Sequence, residues 1–208
     1  MARRELTEAS DELARRAPEL APIVAAHGPC DMSRGRPRRT HFAELARAIC
    51  HQQLAGAAAR SIHGRFEALF DGNPSPEAVL AVPEDALRAA GLSAAKTASI
   101  RDLAGHVVAG SVALARIGRR SDDQIVEELT QVRGIGRWTA EMFLIFQLGR
   151  LDVWPVDDFG VRKGYARVHR LAEPPTAREL GSLGDRYRPY RSIAAWYCWR
   201  VADDQLPG

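Results

Sequence analysis

The stretch VRGIGRWTAEM, residues 132–142, decides how this chain is interpreted. Two glycines, Gly134 and Gly136, flank one apolar residue and interrupt the helical patterns IVEELTQV before them and WTAEMFLIFQLG after them. The glycines are too close together for a linker and too early for a simple helix end. The spacing therefore predicts two helices joined by a glycine hairpin.

Such a hairpin has a physical use, because glycine tolerates positive φ and lets a ligand approach the main chain. The second helix begins at once, so its unpaired N–H groups point outward at the positive end of the helix dipole. This arrangement binds anions, and backbone donors contact a phosphate without reading a base. The alternative is a helix–helix corner in which the glycines serve only close packing.

The rest of the chain is predicted to be helical, and strand signals are nearly absent. HFAELARAICHQQ, residues 41–53, places apolar residues on one helical stripe. Capping boxes are expected at Ser121 with Gln124 and at Thr176 with Glu179, and Ser10 is expected to begin a helix. The fold class is therefore all-α.

Composition sets the broad class of the protein. The 208 residues contain no apolar run near the ~20 that a membrane span needs, and the N-terminus lacks the apolar core of a secretion signal. The net charge of +3 arises wholly from residues 133–208, with 12 Lys/Arg against 9 Asp/Glu. This permits nucleic-acid binding without proving it. Residues 28–40, with four arginines, are predicted to be a solvated loop.

The three cysteines are predicted to be small, buried side chains of a protein in a reducing compartment. A sparse, odd-numbered set is not suited to a disulfide framework. His27 and Cys30 resemble half of a zinc site, but no partner pair has zinc-ligand spacing. A cytoplasmic, nucleoid-associated location is expected.

Two adjacent carboxylates, Asp157 and Asp158, follow the second helix and open another one in GRLDVWPVDDFGVRKG, residues 149–164. Either can be an ordinary N-cap, but only one can occupy the cap position. The other carboxylate would then have no structural task, close to a helix N-terminus that favours negative charge.

A glycine hairpin followed about twenty residues later by a fixed carboxylate resembles the helix-hairpin-helix DNA glycosylase superfamily, often called HhH-GPD. Within it, VRGIGRWTAEMFLIFQLGRLDVWPVDDFGVRKG and YRPYRSIAAWYCWR are most similar to the 3-methyladenine DNA glycosylase II branch, and the resemblance runs from about His41 to Arg200. It implies one domain, 1–208, with two helical subdomains flanking a DNA-binding cleft. Their expected bounds are 41–131 and 1–40 plus 132–208. The chain before His41 is too short for the β-rich N-terminal domain of the longer family form.

The resemblance also implies the reaction and its residues. Asp158 corresponds to the catalytic aspartate, and Asp157 to its structural neighbour. Bifunctional members carry a lysine that forms a Schiff base where this chain has Trp138, so a monofunctional enzyme is expected. Trp138, Met142 and Trp199 are the expected pocket residues, although core packing stays an alternative for Trp199 and is favoured for Trp196.

DNA contacts follow from the same resemblance. Gln53 is the first choice for a wedge that fills the gap left by the displaced base, and Leu54 the second. Gln52 either contacts DNA or serves as a structural amide of the turn. Around the hairpin, the expected DNA contacts are Gly134, Gly136, Arg137, Trp138 and Thr139.

The resemblance also implies a cation site at the hairpin. The backbone carbonyls of Thr130, Val132 and Ile135 match those that hold Na⁺ or K⁺ in relatives. Arg133 replaces a proline that is common in the superfamily, which predicts a less rigid loop.

The predicted function is excision of alkylated purines, of the 3-methyladenine and 7-methylguanine type, from duplex DNA in base-excision repair. A monomer without iron–sulfur cluster or other cofactor, acting on damaged double-stranded DNA and not on membranes, is expected. Two alternatives stay open: a non-catalytic helix-hairpin-helix DNA-binding protein, and an all-helical scaffold with a fortuitous hairpin. Asp158 separates the first from the prediction, because a carboxylate aimed at DNA repels phosphate.

Overall fold

The computed structural model describes residues 3–32 and 39–203, and in these ranges the chain forms helices and turns without a strand. The helices are α1 (Arg3–Arg16), α2 (Ala21–His27), α3 (His41–His51), α4 (Gly56–Ala68), α5 (Pro76–Ala81), α6 (Glu84–Ala89), α7 (Ala94–Val108), α8 (Asp122–Thr130), α9 (Arg137–Phe146), α10 (Phe159–Val168), α11 (Ala177–Leu183) and α12 (Arg191–Asp203), with 3₁₀ helices at Leu114–Arg119 and Gly184–Tyr187. The all-α prediction is confirmed. None of the described helices is both long and apolar enough to cross a membrane.

Local sequence signals placed most helix ends correctly. Ser121 with Gln124 and Thr176 with Glu179 form the two expected capping boxes. The stripe predicted for α3 is its buried face, which contains Phe42, Leu45, Ala46 and Ile49. The prediction for Ser10 is wrong: it lies inside α1, where its buried hydroxyl donates to the Leu6 carbonyl and accepts from the Cys30 amide. Ser10, which looks like a helix-capping residue in the sequence, is thus a buried hydrogen-bonding group of the core.

The described residues divide into two compact units. Residues 3–32 and 144–203 form one, and residues 39–143 form the other. These bounds differ from the predicted subdomains, because residues 132–143, with the glycine hairpin, belong to the unit formed by 39–143. The reason is a set of contacts from the hairpin to α7 and to the end of α3, described below.

In the first unit, α10 packs directly on α12. A Cβ at Gly164 of α10 would lie 2.0 Å from the Cys198 carbonyl oxygen of α12, so only glycine permits this approach. Nearby, the buried rings of Trp154 and Tyr187 lie 5.7 Å apart, and the Trp154 indole donates to the Leu180 carbonyl. The close α10–α12 approach is what brings the start of α10 to the end of α12.

The second unit has its own core around α3 and α7, with Leu45, Ile49, Phe66, Ile100 and Leu103 all buried. Of the predicted loop at 28–40, Cys30 and Met32 are buried, and its arginine-rich residues 33–38 lie outside the described ranges. Cys30, Cys50 and Cys198 are free and buried, as predicted for small apolar side chains. Burial raises the pKa of the Cys50 thiol to about 12, so it stays protonated and unreactive at neutral pH.

Candidate functional site

The glycine hairpin joins α8 to α9 through residues 131–136, which we call the hairpin turn. Gly134 has φ +78°, a backbone conformation that strains any residue with a Cβ. Val132 and Ile135 anchor the turn with 2% and 3% of their surfaces exposed. A Cβ at Gly136, by contrast, would meet no atom within 4 Å. The backbone conformation at position 134 therefore requires glycine. At position 136, by contrast, packing leaves room for a side chain.

The hairpin turn is held by α7. The Arg133 backbone amide donates to Asp102 Oδ2 at 2.7 Å, and a Cβ at Gly134 would lie 2.6 Å from Ser99 Oγ. Proline at position 133 would have no N–H to donate to Asp102. The predicted loss of rigidity from replacing proline is thus offset by a hydrogen bond that only a non-proline residue can make.

At the start of α9, Trp138 is exposed over 45% of its surface, and Thr139 is buried. The Arg137 guanidinium pairs with Glu141 Oε1 at 2.9 Å, one helical turn further on, while 58% of its side chain stays exposed. Arg137 thus has a partner on its own helix. The first-turn amides of α9 start directly after Gly136, a residue without a side chain that could cap them.

Trp138 and Met142 are one turn apart on α9, and Phe146 follows after another turn. Met142 and Phe146 are half-buried. Phe146 was not among the predicted pocket residues; its spacing of four from Met142 puts it on the same face of α9.

In the other unit, Asp158 is the N-cap of α10. Its Oδ1 accepts from the Val161 amide at 2.8 Å and from the Trp199 indole N–H at 2.9 Å. Asp157 is exposed. From the residues alone, either aspartate could be the cap; Asp158, the predicted catalytic residue, takes the cap, and its two hydrogen bonds hold one carboxylate oxygen in place.

Trp199, at the end of α12, connects this carboxylate to an aromatic surface. Its ring stacks on Phe146 with centroids 5.5 Å apart and an interplanar angle of 26°. A Cβ at Gly160 would lie 2.9 Å from the Trp199 ring, so glycine there leaves room for the indole beside Asp158. Half-buried Trp199 is thus a neighbour of the carboxylate, whereas Trp196, 7% exposed, belongs to the core as favoured.

The predicted wedge residues lie in a turn directly after α3, residues 52–55, which we call the wedge turn. Gln53 is exposed with φ +55°, a strained conformation for a residue with a side chain, and Leu54 is 38% exposed. Gln52 is half-buried, and its Nε2 donates to the Gly134 carbonyl at 2.8 Å. The structural alternative for Gln52 is therefore the one that this structure displays.

The three carbonyls expected to hold a cation are suitable donors by their chemistry, since Na⁺ and K⁺ are hard ions that prefer oxygen. The Val132 carbonyl accepts from the Ile135 amide at 3.1 Å, which leaves its second lone pair available. Thr130 ends α8 and Ile135 lies in the hairpin turn. Cation binding at Thr130, Val132 and Ile135 stays a prediction.

The histidines beside the wedge turn are not placed for acid–base work. His63 is buried against Phe66, and burial lowers its pKa to about 4, so it is neutral at physiological pH. His51 lies edge-on to His63 with ring centroids 5.5 Å apart. His63 is thus a buried polar group of the core, and His51 packs beside it.

The chain is similar to known DNA repair proteins. Residues 46–187 match the family model described as HhH-GPD superfamily base excision DNA repair protein. The chain is similar to DNA-3-methyladenine glycosylase 1 of Schizosaccharomyces pombe, at 37% identity over 82% of this chain and 76% of that protein.

Two solved structures extend the similarity to three dimensions. One is the 3-methyladenine DNA glycosylase of S. pombe in complex with abasic DNA, with a TM-score of 0.82 and 36% identity over 93% of this chain and 96% of that one. The other is a DNA-3-methyladenine glycosidase of Bacillus halodurans, with a TM-score of 0.84 and 32% identity over 94% of this chain and 89% of that one.

Proposed function

The chain belongs to the HhH-GPD superfamily of base excision DNA repair proteins, and we propose that it is a monofunctional DNA glycosylase that removes alkylated purines from duplex DNA. It would act at the nucleoid as a monomer on double-stranded DNA that carries damaged bases. The observation that carries the proposal is the half-buried Asp158 carboxylate, one oxygen of which the Val161 amide and the Trp199 indole hold in place.

The proposed reaction is hydrolysis of the bond between the sugar C1′ and the purine nitrogen. As this bond breaks, its electron pair leaves with the base and positive charge builds on the sugar. The Asp158 carboxylate stabilises that charge, and a water oxygen then bonds to C1′ while its proton passes to the carboxylate or to solvent. Because the orientation of this carboxylate is already fixed, the step costs little reorganisation energy.

The aromatic residues suit a positively charged base. Trp138 is exposed, and Trp199 stacks on Phe146 next to Asp158. Aromatic faces attract cations, and a purine alkylated at N3 or N7 is both cationic and a good leaving group. Such a substrate leaves as a neutral base, so the reaction requires no separate general acid.

Trp138 also supports the absence of strand cleavage. It occupies the position at which bifunctional relatives carry a Schiff-base lysine, and an indole cannot form an imine with the sugar. We therefore propose that the product is an abasic site in an unbroken strand. The test is borohydride treatment during turnover, which should trap no protein–DNA adduct; efficient trapping would exclude the monofunctional assignment.

DNA binding is proposed to use the hairpin turn and the wedge turn. The amides at the start of α9 would bind phosphate, with Na⁺ or K⁺ on the carbonyls of Thr130, Val132 and Ile135 adding local positive charge. Gln53 or Leu54 would fill the gap left by the everted nucleotide, which lowers the cost of unstacking.

The decisive experiment compares Asp158→Asn with Asp157→Asn. Release of 3-methyladenine and 7-methylguanine from alkylated duplex DNA should fall by roughly 100- to 1,000-fold in the first variant and stay near wild type in the second. Affinity for DNA with a stable abasic analogue should persist in both. No release of any damaged purine by the wild type would favour the alternative of a non-catalytic DNA-binding protein.

A further inference from the structure

The wedge turn and the hairpin turn are joined by a direct side-chain contact across 82 residues of sequence. Gln52 Nε2 donates to the Gly134 carbonyl at 2.8 Å, so the residue just before Gln53 is bonded to the central glycine of the hairpin turn. Gln52 is half-buried, and it precedes the exposed Gln53 and Leu54. The two turns are thus connected through Gln52, the residue directly before the exposed wedge side chains.

Helix α7 supports both turns from one side. Lys96 Nζ donates to the Cys50 carbonyl at 2.7 Å, at the end of α3 and two residues before the wedge turn. Two turns further along α7, Asp102 accepts from the Arg133 amide at 2.7 Å. Ser99, between them in sequence, lies against Gly134. One helix therefore holds both turns, and Gln52 closes the connection directly between them.

This connection matters because the wedge turn is strained. Gln53 has φ +55°, a conformation that persists in a residue with a side chain only where neighbouring contacts enforce it. Without the Gln52 bond, residues 53–55 lose their tie to the hairpin turn and can relax. The exposed side chains would then no longer stand at a fixed distance from the hairpin amides.

We propose that Gln52 is a positioning residue for base eversion, which couples phosphate binding at the hairpin turn to insertion of the wedge. The inference rests on the proposed function. A phosphate bound by the hairpin amides fixes the DNA backbone, and the Gln52 bond then holds Gln53 and Leu54 at a set distance from that backbone. Binding energy gained at the phosphate is thereby directed into displacing the base.

The test compares Gln52→Met, which has a similar size and no N–H donor, with Lys96→Met, which removes the second tie. Single-turnover excision of a damaged purine from a matched duplex should fall roughly five- to tenfold in Gln52→Met, because one hydrogen bond is lost. The same lesion in an unpaired bulge should be excised at the wild-type rate, since its base is already unstacked. A smaller loss is expected in Lys96→Met.

Equal loss on both substrates would overturn the proposal, because a general defect of the fold would affect the bulge as much as the duplex. A wild-type rate on the duplex would overturn it as well. A readout without chemistry separates this inference from the proposed function: 2-aminopurine beside a stable abasic analogue should unstack on binding wild-type protein and unstack less with Gln52→Met. If the wild type excises nothing, the glycosylase proposal fails, while this fluorescence difference still decides the role of Gln52.

Discussion

Two turns in the unit formed by residues 39–143 have the same backbone plan and different chemistry. The turn between α6 and α7 contains Gly91 with φ +98°, followed by Leu92 with 2% exposure. The hairpin turn between α8 and α9 contains Gly134 with φ +78°, followed by Ile135 with 3% exposure. In each, a left-handed glycine reverses the chain and the next apolar residue anchors it in the core.

The next position separates them. Ser93 accepts from the Lys96 amide at 3.2 Å and so caps α7, whereas Gly136 has no side chain with which to cap α9. The turns also differ before the glycine, with Ala90 in one and the exposed Arg133 in the other. The turn proposed to bind phosphate thus differs from the structural turn by the absence of a side-chain cap and by an added positive charge.

Among changes to these two turns, the largest effect is expected from alanine at the two left-handed glycines. In both variants the strained backbone should lower the free energy of unfolding by roughly 1–2 kcal/mol. Only Gly134→Ala should also weaken DNA binding, by at least about tenfold, because its Cβ would lie 2.6 Å from Ser99 Oγ and displace the turn. The measurements are urea unfolding and fluorescence anisotropy with abasic-analogue DNA.

Gly91→Ala is the matched control, since its Cβ would lie 2.6 Å from Arg65 Nη2, the end of a flexible side chain that can move. Equal loss of DNA affinity in the two variants would mean that the hairpin turn has no special part in binding.

The second test converts one turn into the other by Gly136→Ser. A Cβ at position 136 would meet no atom within 4 Å, so a serine fits there and its hydroxyl can cap α9 as Ser93 caps α7. Stability should rise by a few tenths of a kcal/mol, while DNA affinity falls roughly three- to tenfold, because the hydroxyl competes with phosphate for the same amides. Unchanged affinity would show that these amides do not contact DNA.

The third test removes the cap of the structural turn. Ser93→Ala should lower the free energy of unfolding by about 1 kcal/mol, because the Lys96 amide loses its acceptor. DNA affinity should stay at the wild-type value. A clear loss of affinity at unchanged fold would assign DNA binding to this turn as well.

The smallest effect is expected for Arg133→Ala, which keeps the backbone amide that donates to Asp102. Affinity should fall a few-fold and equally for all DNA sequences, and the slope of log affinity against log salt should decrease by about one. Salt titrations of binding measure this. An unchanged slope would mean that the Arg133 side chain does not neutralise a phosphate.

The sequence predicted the helical elements and the hairpin well, because their signals are local. Stripes such as that of α3, and boxes such as Ser121 with Gln124, depend on residues three or four positions apart. The failure at Ser10 has the same origin, since a serine before DELARRA looks like a cap, and only its contact with Cys30, twenty residues away, shows that it is a core group.

The candidate site was predicted by residue type and not by arrangement. Asp158 was singled out, but which of the two aspartates caps α10 was left open, and the bond from Trp199 to Asp158 was not foreseen. The contacts of Ser99 and Asp102 with the hairpin turn were not predicted. No local pattern in SAAKTASIRDLAG, residues 93–105, indicates a contact with a turn more than thirty residues later.

From the residues alone came the all-helical class, the glycine hairpin, the carboxylate pair and the family they resemble, since each depends on spacing within a few residues along the chain. Tertiary structure decided which side chain holds the Asp158 carboxylate, to which unit the hairpin belongs and what holds the wedge turn. Those outcomes depend on hydrogen bonds that join residues 31, 41 and 82 positions apart. Such pairs meet only after helices pack, so no local pattern encodes them.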